Sequence, residues 1–172
     1  MTDVSVSVVG PEEKAAIANL MQLYVHDFSE QWAGTERGEL QDNGRFAEYP
    51  LDDYWREAER VALLLRRDGY PIGFALLNAH AHSGRAVDRN MAEFFVVRKH
   101  RRGGAGTAAA QAIFDSYPGL WETAVARRNT AALAFWRKAI GTHPRVKDVE
   151  ESDVSNAGWN GPIIRFRIAP PG

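Results

Sequence analysis

The sequence predicts an α/β (α+β) fold in which helices flank a central mixed, mostly antiparallel sheet of about 6–7 strands. Short segments whose apolar residues alternate are typical of strands, and longer segments with apolar residues three and four apart are typical of helices. Three strands follow one another through short connections, which join antiparallel neighbours only. A strand–helix–strand crossover then follows this meander.

The N-terminal part predicts one strand and one long helix. Val4–Val9 alternates apolar and polar residues, and Pro11 with the two acids after it is typical of a helix start. The helix presents one apolar face, formed by Ile17, Leu20, Met21, Tyr24, Val25 and Phe28. Segment 30–49 is polar and predicts a loop, and Leu51–Ala58 predicts a short helix.

The remaining elements follow in a regular order. The meander consists of Val61–Arg66, the turn Asp68-Gly69, Ile72–Leu77 and Met91–Val97. Later elements are a helix over 106–116, a strand over 121–126, a helix over 130–140 and strands over 146–149 and 163–168. Because there is no linker or internal repeat, we expect one domain spanning residues 1–172.

Composition excludes several classes of protein. The 21 Lys and Arg residues balance 22 Asp and Glu residues, so the basic run Arg98–Arg102 is a local feature and no nucleic-acid partner is expected. No cysteine is present, which excludes disulfides, thiolate zinc sites and cysteine nucleophiles. No segment is long and apolar enough for a membrane span, and we expect a cytoplasmic protein.

Glycines between a strand and a helix suggest an anion site. Gly103, Gly104 and Gly106 lie at the predicted helix start, where free backbone N–H groups attract phosphate. The alternative is a turn without a ligand. A P-loop is excluded because no lysine precedes Thr107, and a dinucleotide fingerprint fits only superficially because Arg98–Gly103 separate the strand from the glycines.

Two motifs together resemble the GNAT (Gcn5-related) N-acetyltransferases. Arg101–Gly106 fits the family pattern of Arg or Gln, two residues, Gly, one residue and Gly or Ala. Asn129 is followed three residues later by Ala132 and then by the aromatic pair Phe135-Trp136, which is the second family feature. Further stretches are similar to a poorly characterised branch of the family, with Phe-Trp in place of the usual aromatic–Tyr pair: 44–46, 51–55, 93–95 and 135–138.

The resemblance implies a GNAT-like fold that binds acetyl-CoA as co-substrate. It implies backbone pairing of the pantetheine arm with the strand end, a pyrophosphate cradle at the glycine loop, and contacts from the following loop and helix. The implied cofactor-binding residues are Phe95, Val96, Val97, Arg101, Arg102, Gly103, Gly104, Ala105, Gly106, Thr107, Asn129 and Trp136.

The implied reaction is transfer of an acetyl group to a primary amine of a small molecule or peptide by direct attack in a ternary complex. Glu93, a carboxylate inside an apolar strand, is the expected base, because burial raises its pKa; the alternative is a paired or edge-capping carboxylate. His26 and Asp27 are expected to bind the acceptor, or else form a solvated helix end. A non-catalytic CoA-binding or regulatory module is the alternative function.

Three further features are interpreted from residue chemistry. Trp136 stands where many relatives carry a tyrosine that protonates the leaving thiolate, and its indole is not acidic enough for that role; the alternative is core packing. No metal site is expected, because no carboxylate or cysteine near His80 and His82 completes a ligand set. The acidic run of Glu150, Glu151 and Asp153 is interpreted as a solvated loop, with attraction of a cationic amine substrate as the alternative. A homodimer is compatible with the sequence.

Overall fold

The structure, a computed structural model, describes residues 3–172. Helices α1, α2 and α3 span Lys14–Ser29, Ala105–Ser116 and Thr130–Gly141. Strands β1 to β7 span Val4–Val8, Val61–Arg67, Tyr70–Asn78, Arg89–Val96, Gly119–Ala124, Val146–Ser155 and Asn160–Ile168. Short 3₁₀ turns occur at Pro11–Glu13, Glu30–Trp32, Asp52–Trp55 and Arg98–His100.

The seven strands form one sheet in the order β1-β2-β3-β4-β5-β7-β6, which confirms the predicted fold class. All neighbours are antiparallel except β4 and β5. The predicted hairpin turn is confirmed, since Asp68 and Gly69 both have positive φ values, 51° and 83°, as this tight turn requires.

Helices cover both faces of the sheet. Helix α1 buries Ile17 and Met21 against one face, together with Leu51 and Tyr54 from the segment that follows it. Helices α2 and α3 cover the opposite face with a core built on Ile113, Phe114, Trp121, Trp136, Ile140 and Phe166. Burial of these large apolar side chains is the main stabilising contribution to the fold. Among the described residues, no helix is long and apolar enough to cross a membrane.

The C-terminal hairpin corrects one interpretation of the sequence. Glu150, Glu151 and Asp153 lie on strand β6, which continues to Ser155, and not in a solvated loop. They pair with Arg85, Arg137 and Arg127 respectively. Both faces of this edge strand are accessible to solvent, so apolar and polar residues do not alternate along it. The sequence pattern therefore did not indicate that the strand continues through the charged residues.

Gly73 on β3 marks a close approach to β4. A Cβ atom at this position would lie 1.9 Å from the carbonyl oxygen of Phe95 and 3.0 Å from the Cα of Val96. Backbone atoms cannot yield as a flexible side chain does. Glycine at this position therefore allows β3 and β4 to pair through to the end of β4.

We expect Gly73→Ala to lower the free energy of unfolding by about 1–3 kcal/mol, because the added methyl group overpacks the β3–β4 pair. Urea unfolding followed by circular dichroism measures the change. Gly141→Ala is the matched control, since no atom lies within 4 Å of a Cβ built there, and it should leave stability equal or slightly higher. Equal stability of the two variants would contradict the close approach.

Candidate active site

Strands β4 and β5 separate after a very short parallel contact. They pair only at Arg89 with Trp121 and at Asn90 with Glu122. Beyond this point, aromatic side chains from α3 pack against Phe94 of β4, with ring centroids 5.5 Å away for Phe135 and 5.1 Å for Trp136. The second half of β4 therefore pairs with β3 alone. The opening between this half of β4 and strand β5 is called the fork.

Backbone alternation decides which groups of β4 face this fork. The Val97 N–H donates to Ile72 of β3 at 2.8 Å, so the main-chain groups of Val97 and Phe95 point toward β3. Those of Phe94 and Val96 point into the fork, where the Val96 carbonyl accepts a hydrogen bond from Arg101 Nε at 2.7 Å. Of the three predicted strand-end residues, only Val96 directs its main chain toward the fork.

The glycine loop has the geometry expected of an anion cradle. Arg102 and Gly104 adopt left-handed conformations, with φ values of 64° and 81°, immediately before α2 begins at Ala105. Within residues 3–172, no acceptor receives a hydrogen bond from the N–H groups of 102–107, and those of 105–107 lie in the first turn of α2, at its positive end. Such converging donors suit a diphosphate.

Two residues of this loop also have packing roles. Ala105 is buried, and a Cβ at Gly106 would lie 3.2 Å from the ring of Phe135. Thr107 is half-buried in the first turn of the helix. Gly103 is exposed and lies beside Arg67, whose guanidinium would be 3.5 Å from a Cβ at that position. The motif therefore fits α2 tightly against α3 while leaving its N-terminus accessible.

Asp27 joins the end of α1 to the same loop. Its carboxylate accepts a hydrogen bond from Arg98 Nε at 2.9 Å and a second one from Arg101. Partial burial alone would raise the pKa of Asp27, but the two guanidinium groups hold it below its ordinary value. The structure thus pairs Asp27 with the loop arginines. His26 is exposed at the helix end, with its ring 6.4 Å from that of Phe46.

Glu93 lies on the α1 face of β4 because of a β-bulge. Leu76 and Leu77 are adjacent on β3 but pair with Glu93 and Met91, so Ala92 is an extra residue. This insertion shifts the alternation and aims the Glu93 side chain at α1. There Oε2 accepts a hydrogen bond from the Tyr24 hydroxyl at 2.6 Å.

Burial raises the pKa of Glu93 above its ordinary value, while the hydroxyls of Tyr24 and Tyr49 and the charge of Arg37 act in the opposite direction. Burial and the neighbouring Glu93 carboxylate together raise the pKa of Tyr24 well above its ordinary value. The sequence pattern does not indicate the involvement of Tyr24, because Tyr24 stands 69 residues from Glu93 and fits an ordinary apolar helix face.

Asn129 and Trp136 both have clear structural roles. The Asn129 carboxamide oxygen accepts a hydrogen bond from the Ala132 N–H at 3.1 Å and so caps α3. Trp136 is only 6% exposed and packs edge-on against Phe94 and Phe135. These contacts support core packing for Trp136, at the closed end of the fork.

A buried carboxylate holds the base of the fork. Glu122 is fully buried and accepts hydrogen bonds from the Ser83 N–H at 3.0 Å and the Ser83 hydroxyl at 2.5 Å. These two bonds hold the β3–β4 loop against β5.

Contrary to the expectation from the sequence, carboxylates do lie near His80. Its ligand atoms and those of Glu57 and Glu59 are within 4.8 Å of one another at the surface.

We expect Asp27→Asn to destabilise the protein at neutral pH by removing two charge-assisted hydrogen bonds. Because the folded-state pKa of Asp27 is lowered, its contribution is present above the ordinary aspartate value of about 4 and fades as the pH falls through the folded-state value. Urea unfolding at several pH values should show the variant and the native protein converging in acid. Asp42→Asn, a change at an exposed carboxylate, is the control; a difference independent of pH would contradict the ion pairs.

Comparisons with known proteins identify the family and the fold. The profile of the acetyltransferase (GNAT) family matches residues 17–142. No curated protein matches the sequence. Solved structures share the fold: an aminoglycoside acetyltransferase in complex with coenzyme A and kanamycin is 13% identical with a TM-score of 0.63, and the alignment covers 96% of this chain and 95% of that one.

Two further solved structures share the fold of this protein. An acetyltransferase from Thermus thermophilus is 17% identical with a TM-score of 0.60, covering 96% of this chain and 97% of that one. A spermidine N-acetyltransferase from Vibrio cholerae, in complex with CoA and spermine, is 11% identical with a TM-score of 0.56, covering 96% and 94%. Since the family profile matches more than half of the sequence, this protein belongs to the acetyltransferase (GNAT) family.

Proposed function

We propose that residues 1–172 form a single acyltransferase domain that moves an acetyl group from acetyl-CoA to a primary amine of a small molecule or peptide. The observation that carries this proposal is the partly buried Glu93 carboxylate, held by Tyr24 on a strand whose other edge opens into the fork. An acid–base group therefore lies beside a strand edge that is free to bind an extended, amide-bearing ligand.

The residues present fit a CoA group. The N–H groups of 102–107 lack acceptors within the described chain and would bind the diphosphate, with Arg102 adding positive charge. The pantetheine amides would pair with the main chain of Phe94 and Val96 across the fork. Asn129 caps the helix that borders the fork on its other side and retains its amide donors for a ligand.

The chemistry is direct attack of a neutral amine on the thioester carbonyl carbon. The new C–N bond forms, the C–S bond breaks, and the electron pair leaves with sulfur as the CoA thiolate. The amine must lose one proton in this process, and Glu93 accepts it directly or through one water. Because burial raises the pKa of Glu93, it is a stronger base than an ordinary carboxylate.

The pair Phe135-Trp136 supports assignment to the branch that lacks the usual tyrosine. An indole N–H cannot supply a proton at neutral pH, so either another group or water protonates the thiolate, or it departs unprotonated. Trp136 also favours a second candidate function, a non-catalytic CoA-binding module, because its side chain is packed into the core and carries no hydroxyl.

Thiol release from acetyl-CoA across a panel of primary amines tests the proposal. We expect Glu93→Gln to lower kcat/KM by about 100-fold or more while leaving the Kd for CoA unchanged, because the base acts only in the chemical step. Glu12→Gln, the same change at an exposed carboxylate remote from the fork, is the control. CoA binding without turnover of any amine would favour the binding module, and no binding at millimolar CoA would contradict both functions.

The Tyr24 hydroxyl gives a separate prediction about pH. Its hydrogen bond lowers the pKa of Glu93, so Tyr24→Phe should raise that pKa further. Since Glu93 must be deprotonated to accept a proton, the acidic limb of the kcat/KM profile should move to higher pH in the variant. A uniform loss of activity with an unmoved limb would show that Tyr24 acts only through packing.

A further inference from the structure

Three aromatic side chains form a column along α1 and the turn that follows it. Tyr24, Phe28 and Trp32 recur every four residues, and successive ring centroids are 5.4 Å apart. One end of the column is the Tyr24 hydroxyl, bonded to Glu93. At the other end, the guanidinium of Arg37 lies 4.3 Å from the centre of the Trp32 ring.

The chain is shaped to bring Arg37 onto this ring. Gly38 has a φ of 77°, and a Cβ there would lie 2.6 Å from the Trp32 indole, so the backbone crosses the ring at close range. The turn that carries Trp32 is also bonded to the loop between β5 and α3, because Arg128 Nη1 donates to the Gln31 carbonyl at 3.0 Å. Arg128 directly precedes Asn129, the cap of α3.

The environment of Arg37 is unusual for an arginine. Within residues 3–172 it forms no ion pair, although segment 30–49 contains five acids and only two arginines. Burial raises the pKa values of Glu93 and Tyr24, and the charge of Arg37 partly opposes both increases, so the guanidinium lies within electrostatic reach of the proposed base. Gln31 directly precedes Trp32 in the sequence, and its buried Oε1 receives no hydrogen bond from the described residues.

We propose that the aromatic column is a cation subsite of the acceptor pocket, in which a guanidinium or alkylammonium group of the substrate stacks on Trp32 in place of the Arg37 side chain. This inference rests on the proposed function, because it puts the reacting amine at Glu93. The subsite would take a dicationic amine. Eight residues of helix rise about 12 Å, so the second cation would stand on the order of 10 Å from the reacting nitrogen.

Physical chemistry favours this exchange. The electron-rich face of an indole attracts cations, and it does so more strongly where water is excluded. Arg37 is exposed and long, so it can swing into solvent when a ligand cation arrives. The net negative charge of segment 30–49 attracts cations to the entrance. The unpaired Gln31 oxygen offers an acceptor for an N–H group.

The test measures a selectivity ratio, which is kcat/KM for α,ω-diaminooctane divided by kcat/KM for octylamine, an acceptor with the same carbon chain and no second amine. We expect Trp32→Leu to lower the ratio by about threefold or more, Trp32→Phe to restore part of it, and Arg37→Gln to raise it. Arg45→Gln, the same change at the other arginine of the segment, is the matched control and should leave the ratio unchanged.

A ratio that stays constant in both Trp32→Leu and Arg37→Gln would overturn the subsite. If circular dichroism shows that Trp32→Leu is unfolded, Trp32→Phe and Arg37→Gln decide the outcome. If no amine is turned over, the proposed function fails, and calorimetry of diaminooctane with the CoA-loaded protein tests the subsite alone. Tighter binding by Arg37→Gln than by Arg45→Gln would then support the subsite, and equal binding would overturn it.

Discussion

The parallel contact between β4 and β5 ends after two residue pairs, and the candidate site depends on this early separation. Phe94, Phe135 and Trp136 fill the inner part of the fork, which prevents the strands from closing. The outer part of β4 is left with main-chain groups that have no partner strand. Because buried backbone groups require hydrogen bonds, this edge needs water or a ligand that resembles a strand.

Helix α1 connects the two halves of the site. Through Tyr24 it holds the Glu93 carboxylate, and in its last turn Asp27 accepts hydrogen bonds from Arg98 and Arg101 of the glycine loop. Arg101 in turn bonds the Val96 carbonyl at the end of β4. A rigid helix therefore fixes the spacing between the proposed base and the proposed diphosphate cradle, which must agree if an amine is to meet a thioester.

Local patterns predicted most of the fold, because strand alternation, the Asp68-Gly69 turn and helix periodicity are encoded within short segments. Glu93 stood out in the same way, as a charge within an apolar strand. The bulge at Ala92 left no such signal, since it exists only relative to the register of β3. Contacts across the chain, such as Asp27 with Arg101, could not be predicted for the same reason: they depend on how distant elements pack.

The surroundings of Glu93 also bear on how the thiolate leaves. Burial, followed by the charge of Glu93, raises the pKa of both Tyr24 and Tyr49, which makes these phenols poorer acids than a free tyrosine. In the proposed reaction, neither hydroxyl is therefore suited to protonate the leaving thiolate. A thiol has an ordinary pKa of about 8.5, so its thiolate is a far better leaving group than an alkoxide and needs little assistance. In the proposed reaction the demanding proton transfer is the one from the amine, and the buried Glu93, whose pKa is raised, is the proposed acceptor of that proton.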